Sequence, residues 1–170
     1  MTKPAMTLRI LPIVFAGMAA FAPMAGTATT DALSEETGIP GIPADLDELL
    51  ILDATEVDPD DLIWEWRIIA VLADTPSDPA FLQQMREIES RPDDLFERDV
   101  VVITDTARDS GSALRQRLRP RGFMLAIIGK DGEVKQRRPS PRGVREINNT
   151  IDKFPLRRQE MLDRLPSGRN

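Results

Sequence analysis

Two groups of residues in this 170-residue chain have the types and spacing to do chemistry: the polar run Asp74-Thr75-Pro76-Ser77-Asp78 and the arginine pair Arg157-Arg158. The run follows an apolar stretch and precedes Pro79, where a strand hands over to a helix. Amides at such a helix start favour a negative group, which makes Thr75, Ser77 and Asp78 candidate binding residues. The run has two readings: Ser77 or Asp78 caps the helix, or the loop holds a ligand. Arg157 and Arg158 follow Pro155, a stiff residue that could aim both guanidinium groups at a carboxylate or phosphate. Their other reading is pairing with Asp152 or Glu160.

The chain has no cysteine and no histidine. Thiol chemistry, Ser-His and Cys-His catalysis and most zinc sites are thereby removed. A lone hydroxyl without a base is a poor nucleophile, and paired carboxylates divide acid and base roles only where a pocket separates their pKa values. No catalytic residue, metal site or cofactor is therefore assigned. Asp58-Pro59-Asp60-Asp61 lacks the spacing of a calcium loop and reads as a helix start capped by Asp58. Gly129-Lys130 lacks the spacing of a phosphate loop, and Asn148-Asn149-Thr150, a glycosylation match, falls inside a predicted helix.

The net charge of −6 hides a division, because residues 29–99 hold 20 acidic and 4 basic side chains and residues 100–170 hold 8 and 16. Two readings follow: the halves meet and neutralise each other, or the basic half offers a face to an anionic ligand. Nucleic acid is not expected, since the chain is acidic overall, lacks tyrosine and does not interleave aromatics with its arginines.

Residues 1–28 read as a signal peptide, with Lys3 and Arg9 before an apolar run to Ala22 and a small-residue cleavage site at Gly26-Thr27-Ala28. The run is too short for a spanning helix, so the mature chain is expected to carry no transmembrane segment and to lie in a periplasm or outside the cell. Residues 29–61 form an acidic, proline- and glycine-rich arm, within which Leu46 to Leu52 is apolar enough to dock. Residues 62–161 make one domain, and a basic stretch from Leu156 runs into a tail, 162–170.

The elements that position the polar run begin with Ile68 to Ala73, a continuous apolar run of strand length expected to be central and buried on both faces. Trp64 and Trp66, just before it, read as packing residues. After the polar run, a helix from Pro79 places Phe81, Leu82, Met85 and Ile88 on one face. Asp99 to Thr104 supplies a second strand, and Leu114 and Leu118, with arginines around them, a second helix. Phe123 to Ile128 is a third strand, and Asp131-Gly132 turns it into a hairpin with Glu133 to Arg137. A last helix from Ser140-Pro141 carries Val144, Ile147 and Ile151 and ends before Pro155. The fold class is α/β, a thioredoxin-like βαβαββα order with a central mixed sheet flanked by helices. A flavodoxin-like fold would need a helix where Asp131-Gly132 makes a tight turn.

Trp66-Arg67, Glu97-Arg98-Asp99-Val100, the hairpin Ile127 to Lys135 and the segment Ile151-Asp152-Lys153-Phe154-Pro155-Leu156-Arg157-Arg158-Gln159-Glu160-Met161 resemble the family called domain of unknown function 4174. The likeness runs roughly from Leu62 to Met161. It implies a thioredoxin-like, peroxiredoxin-related fold and kinship with domains of secreted sushi-repeat proteins, and it brings no reaction. In thiol enzymes of this fold the reactive cysteine stands at the helix start after the first core strand, here Asp74 to Asp78. The facing cis-proline is replaced by Met124 or a neighbour, with Pro120 upstream. The function expected is an exported, non-redox module that binds a protein or envelope component. The alternative is a carboxylate- or hydroxyl-based enzyme, or a binder of small anions, at the loop after the first core strand. A fold without thiols has no disulfide to lose, so its thermal unfolding midpoint is expected to be the same with and without reductant, as scanning calorimetry would show.

Overall fold

In a computed structural model the described residues are 47–164. The predicted signal peptide, the arm up to residue 46 and the last six residues of the tail lie outside them. Eleven short elements follow in order: β1 Ile51–Asp53, a 3₁₀ turn Pro59–Leu62, β2 Arg67–Leu72, α1 Pro79–Glu89, α2 Pro92–Phe96, β3 Val100–Asp105, α3 Ala113–Leu118, β4 Met124–Ile128, β5 Val134–Arg138, α4 Val144–Ile151 and α5 Pro155–Arg164.

The sheet order is β1-β3-β2-β4-β5, with β1 and β2 parallel to β3, and β4 antiparallel to both β2 and β5. β2 is central, and every one of its residues is buried. Period-two alternation divides its side chains between two cores. Ile68, Ala70 and Leu72 face the layer of α3 and the 3₁₀ turn, with Val101, Ile103, Leu114 and Leu118. Ile69 and Val71 face the other layer, with Ile88 of α1, Leu95 of α2 and Val144, Ile147 and Ile151 of α4. This is a thioredoxin-like α/β fold.

Local chemistry explains the boundaries. Asp58 accepts from the Asp60 amide at 3.0 Å and opens the 3₁₀ turn, with Pro59 at its first position. Gly132 turns the β4–β5 hairpin at φ +73°, and a Cβ there would stand 3.1 Å from Ile63 Cδ1. Both its conformation and its neighbour favour glycine.

The apolar patch of the arm docks as expected and supplies β1, an edge strand whose neighbour Leu50 accepts from the Val102 amide. Other expectations are corrected. Leu82 points outward at 43% exposure, and Gln84 takes the inward position on α1. Its amide exchanges two hydrogen bonds with the Arg142 backbone, which supplies the partners a buried amide needs. Trp64 is 65% exposed, because its backbone is left-handed at φ +73° where its amide donates to Lys130, and Trp66 alone packs inward. Residues 92–96 form α2, which the strand-and-helix pattern did not indicate.

The largest correction concerns the stretch after Leu156, read as a basic tail. Pro155 instead opens α5, a ten-residue helix, because proline at the first helical position ends one helix and begins the next. Its inward face is charged: Arg157 is buried, and Glu160 lies 2.7 Å from the fully buried guanidinium of Arg67 on β2. Lys130 and Arg157 approach the same carboxylate at 3.5 and 3.4 Å. Leu156, Met161 and Leu162 face outward. The helix is thus held by ion pairs, with little apolar burial.

Burial alone would raise the pKa of Glu160, but Arg67, Lys130 and Arg157 outweigh it and hold the carboxyl below its ordinary value. The ionised form is thus the one that docks the helix. Glu160→Gln is expected to speed amide exchange in α5 by about tenfold or more, from the loss of charge-assisted bonds. Exchange in β2 should stay slow, which hydrogen-exchange mass spectrometry would separate.

Candidate functional site

The C-terminal ends of β2 and β3 open onto one edge of the sheet. β2 delivers Asp74, Thr75, Ser77 and Asp78 there. Asp78 Oδ1 accepts from the amides of Ala80 at 2.8 Å and Phe81 at 3.2 Å, so it caps α1. Thr75 and Ser77 are exposed, their hydroxyls 3.4 Å apart. These three stand together at the helix start.

Arg157 and Arg158 are not brought to them. β2 begins at Arg67 and ends at Leu72, and Arg157 shares Glu160 with Arg67. Six residues of strand therefore put about 20 Å between the two groups. Arg157 is buried, with Asp152 at 3.6 Å and Glu160 at 3.4 Å, while Arg158 is exposed. A single pocket joining Thr75, Ser77, Asp78 and Arg157 does not exist in this fold.

What the C-terminal end does contain is a cleft of about 590 Å³ lined by Asp74, Asp109 and four arginines, Arg108, Arg115, Arg119 and Arg121, with Pro120 and Gly122. Its organiser is Asp105, the last residue of β3, 2% exposed. One of its oxygens, Oδ2, accepts from the hydroxyls of Ser110 and Ser112, both at 2.6 Å, and from Arg115 Nε at 3.2 Å. The other accepts from the Ala107 amide at 3.1 Å and an Arg115 terminal nitrogen at 3.0 Å. That nitrogen also donates to the Ala73 carbonyl at 2.6 Å, so Arg115 on α3 clamps the ends of β2 and β3. Asp105 holds the loop on both sides of Arg108 and Asp109 and so places them on the rim.

Burial alone would raise the pKa of Asp105, but Arg115, then Ser110, Ser112 and the Ala107 amide, hold it below the ordinary carboxylate value. A carboxylate so held is a weak base, so its contacts with two serines do not activate a nucleophile. The arrangement is suited to holding charge in place.

On the opposite wall, Arg119 caps α3 in the left-handed region at φ +49° and Pro120 stiffens the segment that enters β4. No cis peptide bond occurs among the described residues. Arg108, Arg119 and Arg121 are exposed. None of the three has a side-chain hydrogen bond or an ion pair among the described residues.

The sequence offered an anionic ligand at the basic half as one of two readings, without naming these arginines. Five arginines between positions 108 and 121 were the available signal. What was not visible is that Arg117 turns away to the Gly132 carbonyl while the other four meet Asp74 across the cleft. No group of three or more residues able to hold a metal ion occurs among the described residues.

Comparison with known proteins places the chain. The family model described as Domain of unknown function (DUF4174) matches residues 58–160. Among solved structures, a chloroplastic thioredoxin z is 21% identical, with a TM-score of 0.41 over 53% of this chain and 81% of its own. Plasmodium yoelii Prx1a is 16% identical, with a TM-score of 0.47 over 67% and 87%. Plasmodium yoelii thioredoxin peroxidase I is 15% identical, with a TM-score of 0.46 over 64% and 83%. No curated protein matches the chain in sequence.

Asp105→Asn would remove the buried carboxylate that pairs with the partly buried Arg115, and is expected to cost about 3 kcal/mol in denaturant unfolding. Because the folded pKa of Asp105 is depressed, its contribution is present above the unfolded value and lost as pH falls through the folded one. The parent should therefore lose stability below about pH 4. The variant should lack that component of the pH dependence.

Proposed function

We propose a function for a chain that belongs to the family described as Domain of unknown function (DUF4174): it is an exported, non-redox thioredoxin-fold module that binds an anionic protein or envelope component. The binding face is the C-terminal end of the sheet, and the compartment is a periplasm or the cell exterior. One observation carries the reading. At the helix start where a thiol enzyme of this fold holds its cysteine, this chain has a capped loop beside a cleft rimmed by arginines.

Three further facts support it. The absence of cysteine removes thiol–disulfide exchange and cysteine peroxidase chemistry. Neither the Thr75 nor the Ser77 hydroxyl hydrogen-bonds to a carboxylate among the described residues, and Arg157 lies at the far end of the sheet, so the enzyme alternative lacks its constellation. The signal-like residues 1–28 support export.

The test is chromatography of the full chain on immobilised heparin, a polyanion. Because the net charge is −6, retention would report a local basic face and not overall attraction. We expect retention at low salt that falls steeply as salt rises, and its loss in the triple variant Arg108→Ala, Arg119→Ala, Arg121→Ala. Flow-through of the parent at low salt would sink the reading.

A further inference from the structure

We propose that the cleft is a site for a tetrahedral oxyanion, phosphate or sulfate, carried on a polar ligand, with Arg115 as its floor and Arg108, Arg119 and Arg121 as its rim. The proposal rests on the binding face assigned above and adds the class of ligand.

The floor is built before any ligand arrives. The Arg115 side chain is only 10% exposed. Its Nε and one terminal nitrogen donate to Asp105 and to the carbonyls of Ala73 and Asp105 at 2.6–3.2 Å. The other terminal nitrogen has no hydrogen bond among the described residues. Its nearest charged neighbour is Asp74 Oδ1 at 3.6 Å, beyond hydrogen-bond length. A guanidinium fixed along one edge thus offers its remaining donors to the cleft. Little rotamer freedom is left to lose on binding.

The rim adds three cations that no group in the described structure engages. Arg119 and Arg121 flank Pro120, so both project from a stiff backbone, and Arg108 comes from the loop after β3. Asp74, Asp105 and Asp109 oppose the four arginines, an excess of one positive charge. Asp74, on a loop and 33% exposed, is the carboxylate free to move. If it swings off Arg115, the excess becomes two.

That charge balance selects the ligand. A monocarboxylate would only replace Asp74, gaining little over the chain's own carboxylate. A dianion with three or four oxygens can reach the Arg115 floor and the rim together. The cleft of about 590 Å³ exceeds one oxyanion, and Pro120 is its one apolar side chain, so the rest of the ligand is polar.

Titration calorimetry of the full chain with sodium phosphate, sodium sulfate and sodium acetate at matched ionic strength tests this. Phosphate and sulfate are expected to bind, with acetate at least about tenfold weaker. Arg121→Ala should weaken the oxyanions about tenfold, the usual effect of losing one charged hydrogen bond. Asp74→Asn should tighten them, and Arg158→Ala, at the other end of the sheet, should change nothing. Arg121 is exposed and unbonded, so its variant should keep the parent unfolding midpoint, with Arg108→Ala as the second variant. Equal acetate binding overturns the proposal. So does an Arg158→Ala effect equal to that of Arg121→Ala, which would mean an adventitious ion only. Heparin retention without phosphate or sulfate binding sinks this proposal and leaves the broader reading standing. Oxyanion binding without heparin retention does the reverse.

Discussion

β2 and β3 lie side by side in parallel, buried on both faces, and their end carbonyls therefore need partners that water cannot reach. An arginine closes each end, the buried Arg67 at one and the partly buried Arg115 at the other. At the start, Arg67 donates to the Arg98 carbonyl; at the finish, Arg115 donates to the carbonyls of Ala73 and Asp105. Each guanidinium then needs carboxylates of its own, because an unpaired buried charge is costly. Glu160 and Asp99 serve Arg67, and Asp105 serves Arg115. In a chain without a disulfide, these two clamps fix the segments that apolar packing does not hold.

The two ends are closed to different degrees, and this asymmetry underlies the functional reading. At the start of β2, Arg67, Arg98, Lys130, Arg157 and Arg164 share the three carboxylates of Asp99, Asp152 and Glu160, and α5 covers the assembly. There every one of these cations lies within ion-pair reach of a carboxylate, and the pairs Arg67–Glu160 and Arg98–Asp152 join the two halves of the chain. At the finish, Arg115 is paired with Asp105, and Arg108, Arg119 and Arg121 have no partner among the described residues. Contacts between the halves are made at one end of the strand, and the arginines without a partner among the described residues stand at the other. The segments that carry the family resemblance cluster at the closed end, where they build the fold.

Much of the fold was legible because its signals are local. The run Ile68 to Ala73 is uniformly apolar, as a strand buried on both faces must be, and Asp131-Gly132 supplies the backbone freedom its hairpin requires. Asp78 before Pro79 is a cap whose partners are the amides of Ala80 and Phe81, two and three residues along the chain. Where local signals were ambiguous the reading failed. Pro155 ends one helix and opens another, and the charges of α5 face inward because their partners lie on β2 and in the β4–β5 turn. Gln84 displaced Leu82 from the core side because a distant backbone offered it two hydrogen bonds.

The sequence by itself determined the chemistry that is absent, the central strand, the mixed sheet and the position of the capped loop, since each depends on composition or on neighbours a few residues apart. Only the tertiary structure decided which charges are spent and which are left over. Arg157 and Arg121 look alike in the sequence, yet one is buried against Asp152 and Glu160 and the other stands open on the cleft. The physical reason is that an ion pair is made between groups far apart in the chain, so a charge acquires its role only when folding brings, or fails to bring, its partner within reach.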